Sequence, residues 1–242
     1  MNATSLNAPV LIIGGGIGGL VLALELAKRN ISSQIYEQAE EFSDIGAGLQ
    51  LSPNAVRRLK NLGLETALGA VISAPDQICL SDGLTNAHLK NIPLGHSVLE
   101  KYGAPYWVVA RKDLQAILLA ALEEYDCVSI HLGKKFINST QNPPVVETNG
   151  LIRAHMEDGS TGEGVLLIGA DGVWSRVRHM FAPGQTPQQT EMIAWRALID
   201  ADTAPQLFKN ASDPSSITTN STQVWFGPNS HLVQYRVMGG DK

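Results

Sequence analysis

The chain has 242 residues, enough to bury a sizeable core in one large domain or two unequal ones. Its 44% hydrophobic and 17% charged residues are those of a chain that folds, which excludes a disordered or collagen-like protein. The 18 Lys and Arg against 23 Asp and Glu leave a net charge of -5 with no basic block, so a nucleic-acid or anionic-membrane partner lacks its electrostatic footprint.

The opening MNATSLNAP carries no positive charge before its apolar run, and that run, Val10 to Ile13, breaks at once into glycines, so no signal peptide is expected. Residues 9–30, PVLIIGGGIGGLVLALELAKRN, predict a short strand, a glycine turn and a helix ending near Asn30. Ser33 to Glu37 predicts a second strand, completing a strand-helix-strand unit of the length a right-handed parallel crossover needs. Residues 53–68 predict a helix with Val56, Leu59, Leu62 and Leu64 on its apolar side, and residues 112–125 predict another with Leu114, Ile117, Leu118 and Leu122 on one face. Between them, Asp82-Gly83 marks a turn among short β-prone runs around Ile78 and Trp107. A β meander is expected at 144–169, with Asn149-Gly150 as a hairpin turn and Asp158-Gly159 opening a longer turn before VLLIGA. From about 185 the pattern is again β, in MIAWRALI, QVWFG and HLVQYRV, around a Ser/Thr/Asn-rich loop at 210–222.

Cys79 and Cys127 cannot make a disulfide framework and lack C-x-x-C spacing, which fits a reducing, cytoplasmic setting. No stretch approaches the ~20 apolar residues of a membrane span, and the Asn-x-Ser/Thr matches at Asn138 and Asn220 read as chance. The histidines, His96 and His155 among them, form no metal-spaced cluster, so no metal is expected.

Gly14-Gly15-Gly16-Ile17-Gly18-Gly19 satisfies G-x-G-x-x-G between a strand and a helix, the context that gives the pattern meaning. Gly14 permits the tight turn, Gly16 lets backbone approach a pyrophosphate, Gly19 allows close helix packing, and the helix N-terminus faces the anion. Glu37, 18 residues past Gly19, can accept hydrogen bonds from both ribose hydroxyls and disfavours a 2′-phosphate. These features point to an adenine dinucleotide and do not separate NAD from FAD. Gly46 and Gly48 would let backbone approach a flat ring. His231, Val233 and Tyr235 alternate onto one strand face, and Arg196 has the planar fork that suits a carboxylate.

In order along nearly the whole chain, the glycine fingerprint, YEQA around Glu37, GAGLQLSPNAVRRLKNLGL at 46–64, GAPYWVVARKDL at 103–114 and LLIGADGVWSRVR at 166–178 resemble the single-component flavoprotein aromatic hydroxylases of the salicylate hydroxylase and 3-hydroxybenzoate 6-hydroxylase type. The last segment discriminates best: Ala170-Asp171-Gly172 followed by Ser175 and Arg178 resembles the family's Asp-Gly motif, which favours flavin over an NAD-dependent dehydrogenase. There a carboxylate beside a flexible glycine could accept hydrogen bonds near a pyrophosphate while nearby arginines offset its charge.

The resemblance implies an α/β fold: a three-layer, Rossmann-like FAD-binding domain of residues 1–72 and 106–182, with a β-rich substrate layer from 73–105 and 183–242 that is incomplete at the C-terminus. It implies FAD held by Gly14, Gly16, Ile17, Gly18, Gly19, Glu37, Gln38, Gln50, Arg111 and Asp171, with NADH or NADPH as transient electron donor. It implies a small aromatic substrate met by His231, Tyr235 and Arg196, and hydroxylation of a phenolic or related aromatic acid with O2 through a flavin hydroperoxide. Arg236 stands where the family usually has proline, and Ala110 where a histidine often precedes the arginine. Gly240-Asp241 lies in the wrong place for the family's second Gly-Asp motif, so the alternative expectation is a truncated, non-catalytic FAD-binding fragment.

Overall fold

A computed structural model describes residues 8–42, 48–137, 145–148, 150–200, 202–203 and 220–237. In chain order the elements begin β1 (Val10–Ile13), α1 (Ile17–Ala27), β2 (Ser33–Tyr36), β3 (Gly48–Leu51), α2 (Pro53–Asn61), α3 (Glu65–Gly69), β4 (Gln77–Asp82), β5 (His88–Pro93) and α4 (Gly95–Tyr102). They continue β6 (Trp107–Ala110), α5 (Arg111–Leu122), β7 (Val128–His131), β8 (Val145–Thr148), β9 (Leu151–His155), β10 (Thr161–Gly164), β11 (Leu166–Gly169), α6 (Arg176–Phe181), β12 (Ser221–Gly227) and β13 (Ser230–Gln234). The chain packs as two compact units, Met1–Asp44 with Gln115–Ile193, and Ile45–Leu114 with Ala194–Lys242. By packing, therefore, β3, α2, α3 and β6 group with the strands of the second unit rather than with β1.

The first unit is an α/β Rossmann-like fold. Its sheet runs β11-β1-β2-β7, every pairing parallel. β1 is buried along its whole length, as expected of a central strand covered on both faces. α1 buries Leu20, Ala23, Leu24 and Ala27, the small residues letting the helix lie close to the strands. A second cluster joins Leu11, Ile13 and Tyr36 to Phe136, Ala154, Met156 and Val177, so β9 and α6 pack on these sheet residues. The antiparallel sheet β10-β9-β8 forms the third layer. Gly162 and Gly164 are needed there, because a Cβ would fall 2.3 Å from the Tyr36 hydroxyl or 2.2 Å from the Pro9 carbonyl oxygen.

Three sequence expectations change here. VLLIGA does not belong to the meander: β11 leaves it and pairs with β1, Val10 opposite Leu166 and Ile13 opposite Gly169. The single helix expected over 53–68 is two, because Gly63 takes φ +84° and closes α2, with Gly63 N–H donating to Lys60 O and Leu64 N–H to Leu59 O. MIAWRALI forms no strand: Met192, Ile193 and Trp195 are exposed, and its apolar pattern finds no ladder partner among the described residues.

In the second unit the sheet runs β13-β12-β4-β5, with β12 and β4 parallel and the outer pairs antiparallel. β3 and β6 make a separate antiparallel pair that sets Gly48 opposite Ala110 and Gln50 opposite Val108. Val108, Ala110 and Val237 are buried together, with Tyr106 and Tyr235 packed against them. Among the described residues no helix is long and apolar enough to cross a membrane.

Candidate functional site

In the first unit the glycine turn is built by close approach. Gly14 follows β1 at φ +111°, and a Cβ on it would stand 2.4 Å from the Ala170 carbonyl oxygen at the end of β11. Only glycine accommodates both demands. A Cβ on Gly19 would lie 2.0 Å from Gly14 O, so α1 packs directly onto its own turn. Gly16 and Gly18 differ, since nothing lies within 4 Å of where their side chains would be. Gly16 is the N-cap of α1 and supplies no side-chain acceptor, so the helix presents first-turn N–H groups to open space. Backbone donors at a helix N-terminus beside two bare glycines suit a pyrophosphate.

Glu37 is fixed at the end of β2, where its N–H donates to His131 O. Its carboxylate is held against the turn: Oε2 accepts from Gly15 N–H at 2.6 Å and Oε1 from Ala39 N–H at 2.9 Å. Each oxygen keeps a further lone pair with which to accept a ribose hydroxyl. Ile17 is half-buried at the first turn of α1 and Gln38 is exposed beside Glu37.

Asp171 meets the same turn, since its backbone nitrogen would be 2.9 Å from a Cβ on Gly14. Its carboxylate is held by the start of α6 rather than by arginine. Oδ1 accepts from Ser175 Oγ at 2.6 Å, and Oδ2 from the N–H groups of Arg176 at 2.7 Å and Val177 at 3.1 Å. The arginines expected to offset its charge are directed elsewhere. Arg176 donates to Phe136 O and Glu157, and Arg178 to Val173 O. The positive end of α6 does the balancing. The first unit thus brings together the glycine turn, Glu37 and Asp171, and this donor and acceptor set fits an adenine dinucleotide.

In the second unit, Gly48 does not leave its bare face open. The Tyr235 ring fills it, 2.4 Å from where a Cβ would be, and Tyr235 Oη donates to Gly48 O at 2.8 Å. Gly46 lies outside the described residues, as do Asn138, Asn149 and Gly240-Asp241. Gln50 is exposed and accepts a hydrogen bond from Tyr106 Oη. Arg111 is exposed at the first turn of α5. His231 is exposed opposite Phe226, whereas Tyr235 is half-buried just past the end of β13. Four residues of extended chain span about 13 Å, so the two side chains do not meet each other, although a ligand could span them. Burial pushes the Tyr235 phenol up, and the Arg196 guanidinium, on an exposed segment, opposes that.

Tyr106 escaped the sequence analysis. Burial, reinforced by Tyr235, pushes its phenol up to about 12. Its signal was the alternation of Tyr106, Val108 and Ala110, which puts the hydroxyl on the face of β6 that meets Gly48 and Gln50. An open cleft of about 780 Å³ adjoins it, lined by Ser52, Pro53, Arg57, Ile92, Lys101 and Tyr106 among others. Among the described residues no group of three or more His, Cys, Asp or Glu side chains could hold a metal.

Known proteins give this geometry its context. The family model described as FAD binding domain matches residues 7–235. The 3-hydroxybenzoate 6-hydroxylase of Polaromonas naphthalenivorans (strain CJ2) is 35% identical over 243 residues, covering 100% of this chain and 56% of that protein. The 6-hydroxynicotinate 3-monooxygenase of Bordetella bronchiseptica is 32% identical over 230 residues, covering 95% and 55%. The chain therefore spans about half the length of the curated relatives it matches. Among solved structures, Klebsiella pneumoniae HpxO complexed with FAD and uric acid superposes with a TM-score of 0.75 at 22% identity, over 99% of this chain and 56% of that one. A salicylate hydroxylase substrate complex gives 0.71 at 21% identity, over 99% and 55%. With the family match running across nearly all of its length, the chain belongs to the FAD binding domain family.

Proposed function

We propose that the protein is an FAD-dependent monooxygenase that hydroxylates a phenolic or related aromatic acid with NAD(P)H and O2. The observation that carries this reading is the glycine turn, open at Gly16 and Gly18 and held between Glu37 and Asp171. The names of the relatives support the substrate class, since 3-hydroxybenzoate and 6-hydroxynicotinate are both ring-hydroxylated aromatic acids. When bound, FAD would supply the redox chemistry, taking a hydride from NAD(P)H and activating O2.

In this reading the turn of Gly14, Gly16, Ile17, Gly18 and Gly19 holds the pyrophosphate with Asp171 nearby, Glu37 and Gln38 hold the adenosine ribose, and Gln50 and Arg111 lie on the flavin side. Arg196 would bind the substrate carboxylate through its planar fork, and His231 with Tyr235 would hold or deprotonate the phenol. The functional division is residues 1–72 and 106–182 for cofactor and 73–105 and 183–242 for substrate. A cytoplasmic setting is supported by Cys79 and Cys127, which are both free.

The test is the absorption spectrum of the purified protein after addition of FAD and removal of the excess. Retained oxidised-flavin absorbance is expected, followed by NAD(P)H oxidation stimulated by hydroxybenzoate-like acids. A folded protein that keeps no flavin overturns the assignment.

A further inference from the structure

The pairing of β3 with β6 sets Gln50 opposite Val108, and Tyr106 lies two residues before Val108, immediately ahead of β6. Tyr106 Oη donates to Gln50 Oε1 across 56 residues of sequence. A primary amide has one acceptor oxygen and two N–H donors. With Oε1 taken by the phenol, Nε2 is the end that exposed Gln50 turns outward. The reverse orientation would make the phenol oxygen the acceptor and turn its proton away from Gln50; the structure has the phenol as the donor, to Oε1. The backbone beneath is held as well, by the Tyr235 hydrogen bond to Gly48 O and the ring that fills the glycine's open side.

We infer that Tyr106 is a positioning residue that fixes Gln50 as a hydrogen-bond donor toward an acceptor atom of the flavin ring, a carbonyl oxygen or ring nitrogen, rather than toward the ring's N–H. The inference rests on the proposed function, which puts Gln50 on the flavin side. A donor fixed at a ring acceptor favours the electron-rich, reduced ring, so it raises the midpoint potential.

The experiment uses the 242-residue protein with Tyr106→Phe, Gln50→Glu and the pair, after near-UV circular dichroism has verified that each variant folds. Gln50→Glu keeps an acceptor for Tyr106, removes the donor and adds a negative charge that itself lowers the midpoint potential, so the deciding comparison is whether the effects of the two substitutions add. Tyr106→Phe is expected to weaken FAD binding about 3- to 10-fold, the loss of roughly one hydrogen bond, and to lower the midpoint potential. Gln50→Glu should do at least as much, and the pair no more than Gln50→Glu alone, because Tyr106 acts through Gln50. In protein labelled with 15N-glutamine, the Gln50 side-chain amide signals should move in Tyr106→Phe. Unmoved amide signals, or losses that add in the pair, overturn the inference. If the unaltered protein binds no flavin, the proposed function fails separately, and the amide signals alone decide whether Tyr106 holds Gln50.

Discussion

Tyr106 is half-buried and Tyr235 lies close by, so its phenolate is disfavoured and its ionisation moves from the ordinary 10.0 up to about 12. A group whose pKa is raised by folding contributes stability that is whole below the unfolded value and is lost as pH climbs through the folded one. Denaturant midpoints should therefore fall between about pH 10 and 12, and Tyr106→Phe should flatten that fall. An equal fall in both proteins would assign the loss to other tyrosines or lysines. At this scale the sequence was legible where one residue type has one use. Gly14 and Gly19 are glycines because neighbouring carbonyls occupy the space a Cβ would take. Tyr106 was illegible because a tyrosine among Trp, Val and Ala reads as core, and its partner comes from a strand 56 residues away. Gly48 was half legible: a flat ring does approach it, but the ring is Tyr235.

Among the elements, α6 hangs on the Asp171 side chain. Asp171 accepts from the Arg176 and Val177 N–H groups and from Ser175 Oγ, while Ser175 Oγ accepts from Arg178 N–H. Asp171→Ala should cost about 1–2 kcal/mol in urea unfolding, the usual loss for removing an N-terminal cap, whereas Asp171→Asn, which keeps an acceptor oxygen, should cost less. Equal costs would mean that charge rather than capping sets the effect. The first strand, its glycines and α1 were readable because periodicity and turn chemistry agree along a single stretch of chain. β11 was misplaced in the meander because a four-residue apolar run carries no mark of its partner. Only tertiary pairing with β1 decides it. MIAWRALI failed for the same reason in reverse, being strand-like in composition without a strand to pair with among the described residues.

For the molecule as a whole, a ligand that binds only the folded state stabilises it in proportion to the logarithm of its concentration over Kd. FAD at a hundredfold excess over its Kd should add about 2.7 kcal/mol and raise Tm by roughly 5–10 °C. NAD at the same concentration should do less, since the Asp-Gly segment favours flavin; a larger shift with NAD would return the dehydrogenase reading. Composition speaks against a nucleic-acid partner at this scale, but the division into compact units was not readable, because β3 and β6 reach their packing partners through register rather than through sequence proximity. The tryptophans carry a practical consequence of how the chain is buried. Trp107 is 7% exposed inside β6, whereas Trp174 and Trp195 are 76% and 91% exposed. A collisional quencher will darken Trp174 and Trp195 first, half-buried Trp225 next, and spare Trp107 longest. The fluorescence that survives the quencher is then weighted toward a residue next to Tyr106, and it reports the integrity of β6 without an added label.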